Sequence, residues 1–175
     1  ELDPTYSPAL RTLALAQSAA GKADEALAGL QRVLAQNPLD RDAVLQLSFL
    51  HLEAKRFEEA LRVLEPYHKA VPDEGRVLNN QGLALRGLGR FDEARRALKR
   101  ALRHNADDPL ILTNFGAVLV DLGRAAEARP LLEQALRAAP GDARLLVNYG
   151  VCLAALGEKD RARETLDNAL AADPN

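Results

Sequence analysis

Asn80, Asn114 and Asn148 stand at intervals of 34 residues. A carboxamide carries a donor and an acceptor together, so each of these side chains can pair with both the C=O and the N–H of one peptide bond. With Gln46 one interval earlier, they form a ladder able to hold an extended chain by its backbone. Groups suited to catalysis show no comparable order. His51, His68 and His104 are scattered without ligand spacing, and the single cysteine, Cys152, can build neither a disulfide framework nor a Cys-rich zinc site. Val151-Cys152-Leu153 sets that thiol in an apolar run, where it reads as a small buried hydrophobe rather than a nucleophile. The sequence offers no Ser/His/Asp or Cys/His arrangement and no phosphate-binding glycine loop. It reads as non-enzymatic, with no cofactor and no metal.

The interval of the asparagines is the interval of the whole chain. The stretch from Gly82 to Ala94 recurs from Gly116 to Ala128 and from Gly150 to Ala162, and more loosely from Ala14 to Ala26 and from Ser48 to Ala60. Pro4, Pro38, Pro72, Pro140 and Pro174 lie on the same 34-residue grid, with Ala106 at its one vacant point. Proline cannot continue a helix and pushes its predecessor out of helical geometry. This predicts a single array, 1–175, of helical hairpins at 7–40, 41–74, 75–108, 109–142 and 143–175, with Glu1 to Tyr6 as the tail of a preceding unit.

Each hairpin turns at a fixed point. Gly21, Gly89, Gly123 and Gly157 sit where a helix end takes positive φ, and Lys55 replaces the glycine in the second unit, predicting a costlier turn. Asp24, Glu58, Asp92 and Asp160 are placed to cap the following helix and to face its positive dipole end. Position 20 is always Ala and position 24 always Leu, while position 8 is small throughout (Ala14, Ser48, Gly82, Gly116, Gly150), which predicts close helix crossings. Pro130 falls near a helix start; Pro66 falls near mid-helix and predicts a kink or a shortened helix.

The small residue at position 8, Ala at 20 and Pro at 32 resemble the tetratricopeptide repeat, and the resemblance covers essentially all of the chain in five repeats. Gln17 and His51 depart from it at position 11, as does Ala106 at the proline. The resemblance implies an all-α solenoid, a right-handed superhelix whose first helices line a concave groove and whose second helices form the convex side. It also implies that groove side chains come from positions 2, 5, 6, 9, 12 and 13, and the asparagine ladder resembles that of the repeat arm of the O-linked N-acetylglucosamine transferase. On this basis Asn80, Asn114, Asn148 and Gln46 would bind peptide backbone. Leu45, Phe49, Leu52, Leu83, Val147 and Val151 would read apolar side chains, with Leu45, Phe49 and Leu52 forming one stripe. Arg11, Arg76, Arg86 and Arg144 add scattered positive charge. The chaperone carboxylate clamp is absent, since position 9 has no Asn and position 6 no Arg.

Composition narrows the partner. With 47% hydrophobic and 27% charged residues the chain can bury a core, and a net charge of −2 gives no global attraction to nucleic acid or anionic membrane. The one basic concentration, Arg95, Arg96, Lys99, Arg100 and Arg103, lacks the interleaved aromatics of a nucleic-acid surface and reads as a solvated outer face. No apolar run is long enough to insert directly in a bilayer. The start at Glu1 and the lack of methionine suggest a piece of a longer protein; the Ala, Leu and Arg bias suggests a GC-rich bacterial source. The compartment is open, with the cytoplasm favoured and the periplasm allowed if the parent has a signal peptide. The leading expectation is a protein-binding scaffold taking an apolar or amphipathic peptide segment. The alternatives are a self-assembling homo-oligomer and the substrate-recruiting arm of a larger enzyme such as a glycosyltransferase.

Overall fold

Glycine turns and proline stops cut the chain into helices of nearly uniform length. The computed structural model describes residues 7–173, and among these it contains ten α-helices and no strand. They are α1 (Ser7–Ala19), α2 (Ala23–Gln36), α3 (Arg41–Glu53), α4 (Phe57–Ala70), α5 (Gly75–Gly87), α6 (Phe91–His104), α7 (Pro109–Asp121), α8 (Ala125–Ala138), α9 (Ala143–Ala155) and α10 (Lys159–Ala172). The fold is all-α, of the solenoid class. Pro4, Pro174 and the tail Glu1 to Tyr6 lie outside the described residues.

The helices form two compact units, divided between Leu88 and Gly89. In the first, α1 packs on α2, α2 on α3, α3 on α4 and α4 on α5, and α3 also touches α5. Its core joins Ala14, Ala26, Leu30 and Val33 to Ala43 and Leu47, followed by a second cluster of Val44, Leu64, Tyr67 and Val77. The second unit runs from α6 to α10 in the same manner, with α7 touching α9. Its core centres on Leu112, Leu119, Leu132, Leu145 and Leu153.

The turns follow from backbone chemistry. Gly21, Gly89, Gly123 and Gly157 hold φ between 71° and 84°, and Lys55 adopts φ 55° in their place, the one positive-φ residue other than glycine among those described. At Lys55 the hydrogen bonds are the same as at Gly21, Gly123 and Gly157: Lys55 N–H donates to Leu52 C=O at 2.9 Å and Arg56 N–H to His51 C=O at 2.8 Å. This pair of hydrogen bonds satisfies the last carbonyls of the first helix. Lys55 therefore gains the full turn at a steric cost of about 1–2 kcal/mol that glycine would not incur.

The side-chain caps are not where the sequence placed them. The second helices start at Lys22, Arg56, Arg90, Arg124 and Glu158 with no side-chain cap. Asp24, Glu58, Asp92 and Asp160 lie inside the first turn, where they still face the dipole. Side-chain caps belong instead to the first helices: Asp40, Glu74, Asp108 and Asp142 each accept from a backbone N–H in the following turn. These four recur at 34-residue intervals, two residues after each grid point. Pro66 does not shorten its helix: α4 keeps the same 14 residues as its counterparts.

The close crossings are present. A Cβ on Gly116 would stand 2.7 Å from Leu132 Cγ, and one on Gly150 would stand 2.7 Å from Leu166 Cγ, both far inside contact distance. Position 8 thus receives the Leu of position 24. In the first unit Gly87 plays a related part, since a side chain there would overlap the ring of Phe57.

Candidate functional site

Of the four position-6 carboxamides, Asn80 and Asn114 are engaged within the protein. Asn80, on α5, donates its Nδ2 to Ser48 Oγ at 3.0 Å and to Leu45 C=O at 3.4 Å, both on α3. Its Oδ1 accepts from Asn79 Nδ2 at 3.3 Å. Asn80 therefore ties two neighbouring first helices together. Asn114 is only 3% exposed, within the run of buried residues on α7. Gln46 is half-buried and its Oε1 is a buried acceptor without a hydrogen-bond partner among the described residues. Asn148 on α9 is half-buried, so of the three asparagines Asn114 is the one withdrawn from solvent.

The apolar candidates divide in two. Phe49 is 48% exposed, whereas Leu45 and Leu52, its partners in the expected stripe, are half-buried, and Leu45 packs against the Val44–Leu64–Tyr67–Val77 cluster. Leu83 is half-buried as well. In the second unit Val147 and Val151 are 44% and 47% exposed, one turn apart on α9. Leu110, in the first turn of α7, is also exposed. Sequence reasoning does not single it out, although position 2 is among the expected groove positions. Leu15, on α1, is exposed at the same repeat position as Phe49 and Val151. Each unit thus presents large apolar side chains on its first helices.

Charge around these residues differs from the sequence expectation at one point. Arg11 is bound to Asp40 at 2.5 Å, so it anchors the cap of α3. Arg76 and Arg144 are exposed, and Arg86 is half-buried and has a partner within the protein. In the second unit Leu110, Thr113, Arg144 and Leu145 line a small depression with the capping carboxylates Asp108 and Asp142.

The groups considered for chemistry are packed into structure. Cys152 is fully buried, its thiol lies 3.3 Å from Ala125 C=O, and burial pushes its pKa up, so the reactive thiolate is disfavoured. His51 is buried with Nδ1 unpartnered among the described residues, and burial pushes its pKa down. One polar network joins α8, α9 and α10: Tyr149 donates to Glu133 at 3.0 Å, and Arg129 bridges Glu133 at 2.8 Å and Glu158 at 2.7 Å. The hydrogen bond from Arg129 holds the Glu133 carboxyl below its usual range, while burial and then Glu133 push the Tyr149 hydroxyl up. This network is a clamp between hairpins.

The family model described as tetratricopeptide repeat matches residues 17–81, 51–114 and 119–175. The chain belongs to the tetratricopeptide repeat family. No curated protein matches it. Among solved structures it is similar to TTC0263, a thermophilic tetratricopeptide repeat protein of Thermus thermophilus, with a TM-score of 0.81 and 23% identity over 97% of this chain and 92% of that one. It is similar to PilF of Pseudomonas aeruginosa, with a TM-score of 0.78 and 22% identity over 95% of this chain and 76% of that one. It is also similar to YrrB, a tetratricopeptide repeat protein with an unusual peptide-binding site, with a TM-score of 0.66 and 24% identity over 95% of this chain and 86% of that one. At these identities the likeness is one of fold. Tetratricopeptide repeats are in general non-catalytic scaffolds for protein–protein interaction.

Proposed function

We propose that this chain is a non-catalytic scaffold that takes an apolar or amphipathic peptide segment on the first helices of one or the other of its two compact units. The observation carrying this reading is the placing of exposed large side chains: Leu15 and Phe49 in one unit, and Leu110, Val147 and Val151 in the other, all on first helices. Large apolar groups left in water at repeated positions mark an interaction surface. Phe49 and the Val147–Val151 pair serve as the apolar contacts, Asn148 offers its carboxamide to peptide backbone, and Arg76 and Arg144 favour acidic residues in the ligand. Asn80 supports the surface by tying α5 to α3, and Asn114 is withdrawn into the interior. That the fold is shared with a protein having a peptide-binding site supports this reading.

The test is a displayed peptide library selected on the wild-type chain, with the best peptide then titrated by fluorescence anisotropy. Phe49→Ser, for a peptide taken by the first unit, or the double variant Val147→Ser, Val151→Ser, for one taken by the second, should weaken binding by about tenfold or more, a loss of about 1.4 kcal/mol. Unchanged affinity in both variants would sink the proposal. Asn148→Ala separates the backbone contact from the apolar ones, since it should weaken many peptides about equally.

A further inference from the structure

The outward faces of α6 and α10 carry opposite charge. On α6, Arg96, Lys99 and Arg103 are exposed; on α10, Asp160, Glu164 and Asp167 are exposed. At 100° per residue these positions point away from the buried Ala94, Leu98 and Ala101 of α6 and from the buried Ala162 and Ala169 of α10. Both helices lie in the same compact unit and are the second helices of their hairpins. None of the six side chains takes part in a hydrogen bond or ion pair among the described residues. Some other exposed charges of this unit are paired, Arg90 with Glu93 at 2.8 Å and Arg124 with Glu127 at 2.7 Å, whereas Arg137, Arg144, Lys159 and Arg163 make no ion pair among the described residues.

Leaving the six unpaired works against each helix, because like charges three and four residues apart repel. Arg96, Lys99 and Arg103 make two such contacts, and Asp160, Glu164 and Asp167 make two more. The two rows also match in spacing. The basic row advances by 3 and then 4 residues; the acidic row, read backward from Asp167, steps by 3 and then 4. Two antiparallel helices therefore set Arg96 against Asp167, Lys99 against Glu164 and Arg103 against Asp160 in a single register. Arg163, exposed beside the acidic row, stands about 60° from Asp160 and about 40° from Asp167 around the helix, three and four residues away, and offsets part of the repulsion on α10.

We propose that the α6 face of one copy docks on the α10 face of a second copy, antiparallel, through these three charge pairs. The occupant is the chain itself because the chain carries the complement, equal in length and in spacing. A nucleic acid fits less well, since the basic row has no aromatic residue and the chain is net negative. Because the two faces differ, the contact is heterologous, and it leaves one free basic face and one free acidic face after each addition. Exposed charge pairs guide encounter and specificity more than they hold tightly, so association should be weak and sensitive to salt.

Sedimentation velocity of the full chain tests this. At about 0.01 M salt, where screening reaches about 30 Å, the mean mass should rise with concentration; at about 1 M salt, where it reaches about 3 Å, it should fall to that of the monomer. The triple variant R96E/K99E/R103E has two acidic faces, and D160K/E164K/D167K has two basic ones. Each alone should stay monomeric at low salt, with association at least about tenfold weaker than wild type, and an equimolar mixture should regain the wild-type mass. The positions are all exposed, and unchanged helical circular dichroism verifies that both variants fold. A wild type that stays monomeric at low salt overturns the proposal, as does a mixture that fails to associate. A wild-type monomer that shifts on binding a single-stranded RNA would overturn it in favour of a nucleic-acid partner on α6.

Discussion

His51 occupies the place where α5, α7 and α9 carry Leu85, Leu119 and Leu153, all buried. Its imidazole is buried too, with Nδ1 unpartnered among the described residues, and desolvation is the main cause of its lowered pKa. Glu59 pulls the pKa up, whereas Arg56 and Arg62 push it further down, so the surroundings do not compensate the imidazolium. The folded pKa lies below the unfolded value of about 6.5, and the unfolded chain binds the proton first. The stability this histidine allows is therefore full above about pH 6.5 and is lost as pH falls through that value toward the folded pKa. His51→Leu should remove this loss. Urea midpoints measured between about pH 7.5 and pH 5 should decline less steeply in the variant than in wild type. Equal slopes would mean that the histidine is solvated in the folded state. At neutral pH the variant should be more stable by about 1 kcal/mol, since an orphaned buried polar atom is removed.

At the scale of helices, glycine has two opposite meanings in this chain. Gly116 lies inside α7 where Leu132 of α8 approaches, and a methyl group there would stand 2.7 Å from that leucine. Gly29 lies inside α2, where the nearest neighbour of an added Cβ is Ala14 Cβ at 3.8 Å, an ordinary contact. Alanine raises helix propensity at both by about 1 kcal/mol, but overpacking costs about 1–3 kcal/mol where there is no room. Gly116→Ala should lower the urea midpoint, and Gly29→Ala should raise it by the equivalent of about 0.5–1 kcal/mol. A stabilised Gly116→Ala would show that α7 and α8 separate without penalty. The small residue at position 8 and the Leu at position 24 were both legible in the sequence, because a repeated pair of sizes reports a repeated crossing. The caps were not read correctly. The carboxylates Asp24, Glu58, Asp92 and Asp160 stand nearest the glycine turns, but those turns place a different residue at the helix start, two positions earlier. Asp40, Glu74, Asp108 and Asp142 are capable of capping because the chain arrives at them extended, with ψ between 102° and 116°. The site was legible only as a set of positions. Repeat position alone cannot tell that Phe49 stays in water while Leu45 and Ala117, at comparable places, are drawn into contact with their neighbours.

For the molecule as a whole, periodicity described every hairpin alike and did not mark the division between Leu88 and Gly89. The turn there, Gly89-Arg90, reads the same as Gly123-Arg124 inside the second unit. A repeated spacing reports how each hairpin folds, whereas compactness is the sum of many contacts that no single spacing encodes. In arrays of this kind stability is a sum of hairpin terms and terms between nearest neighbours, so local damage need not be felt equally throughout. The Leu112–Leu132–Leu145 core of the second unit and the Leu30–Val33–Leu47 core of the first contain no residue in common. Gly116→Ala, which strains α7 against α8, should therefore speed amide exchange first within α6 to α10, while amides of α1 to α4 keep protection close to wild type. Hydrogen exchange read by mass spectrometry under native conditions resolves the two regions. If protection falls equally from α1 to α10, the chain unfolds as one cooperative block, and the two units are a feature of packing only. If it falls in α6 to α10 alone, the second unit opens by itself, and the apolar pair Val147–Val151 sits on the part of the molecule that yields first.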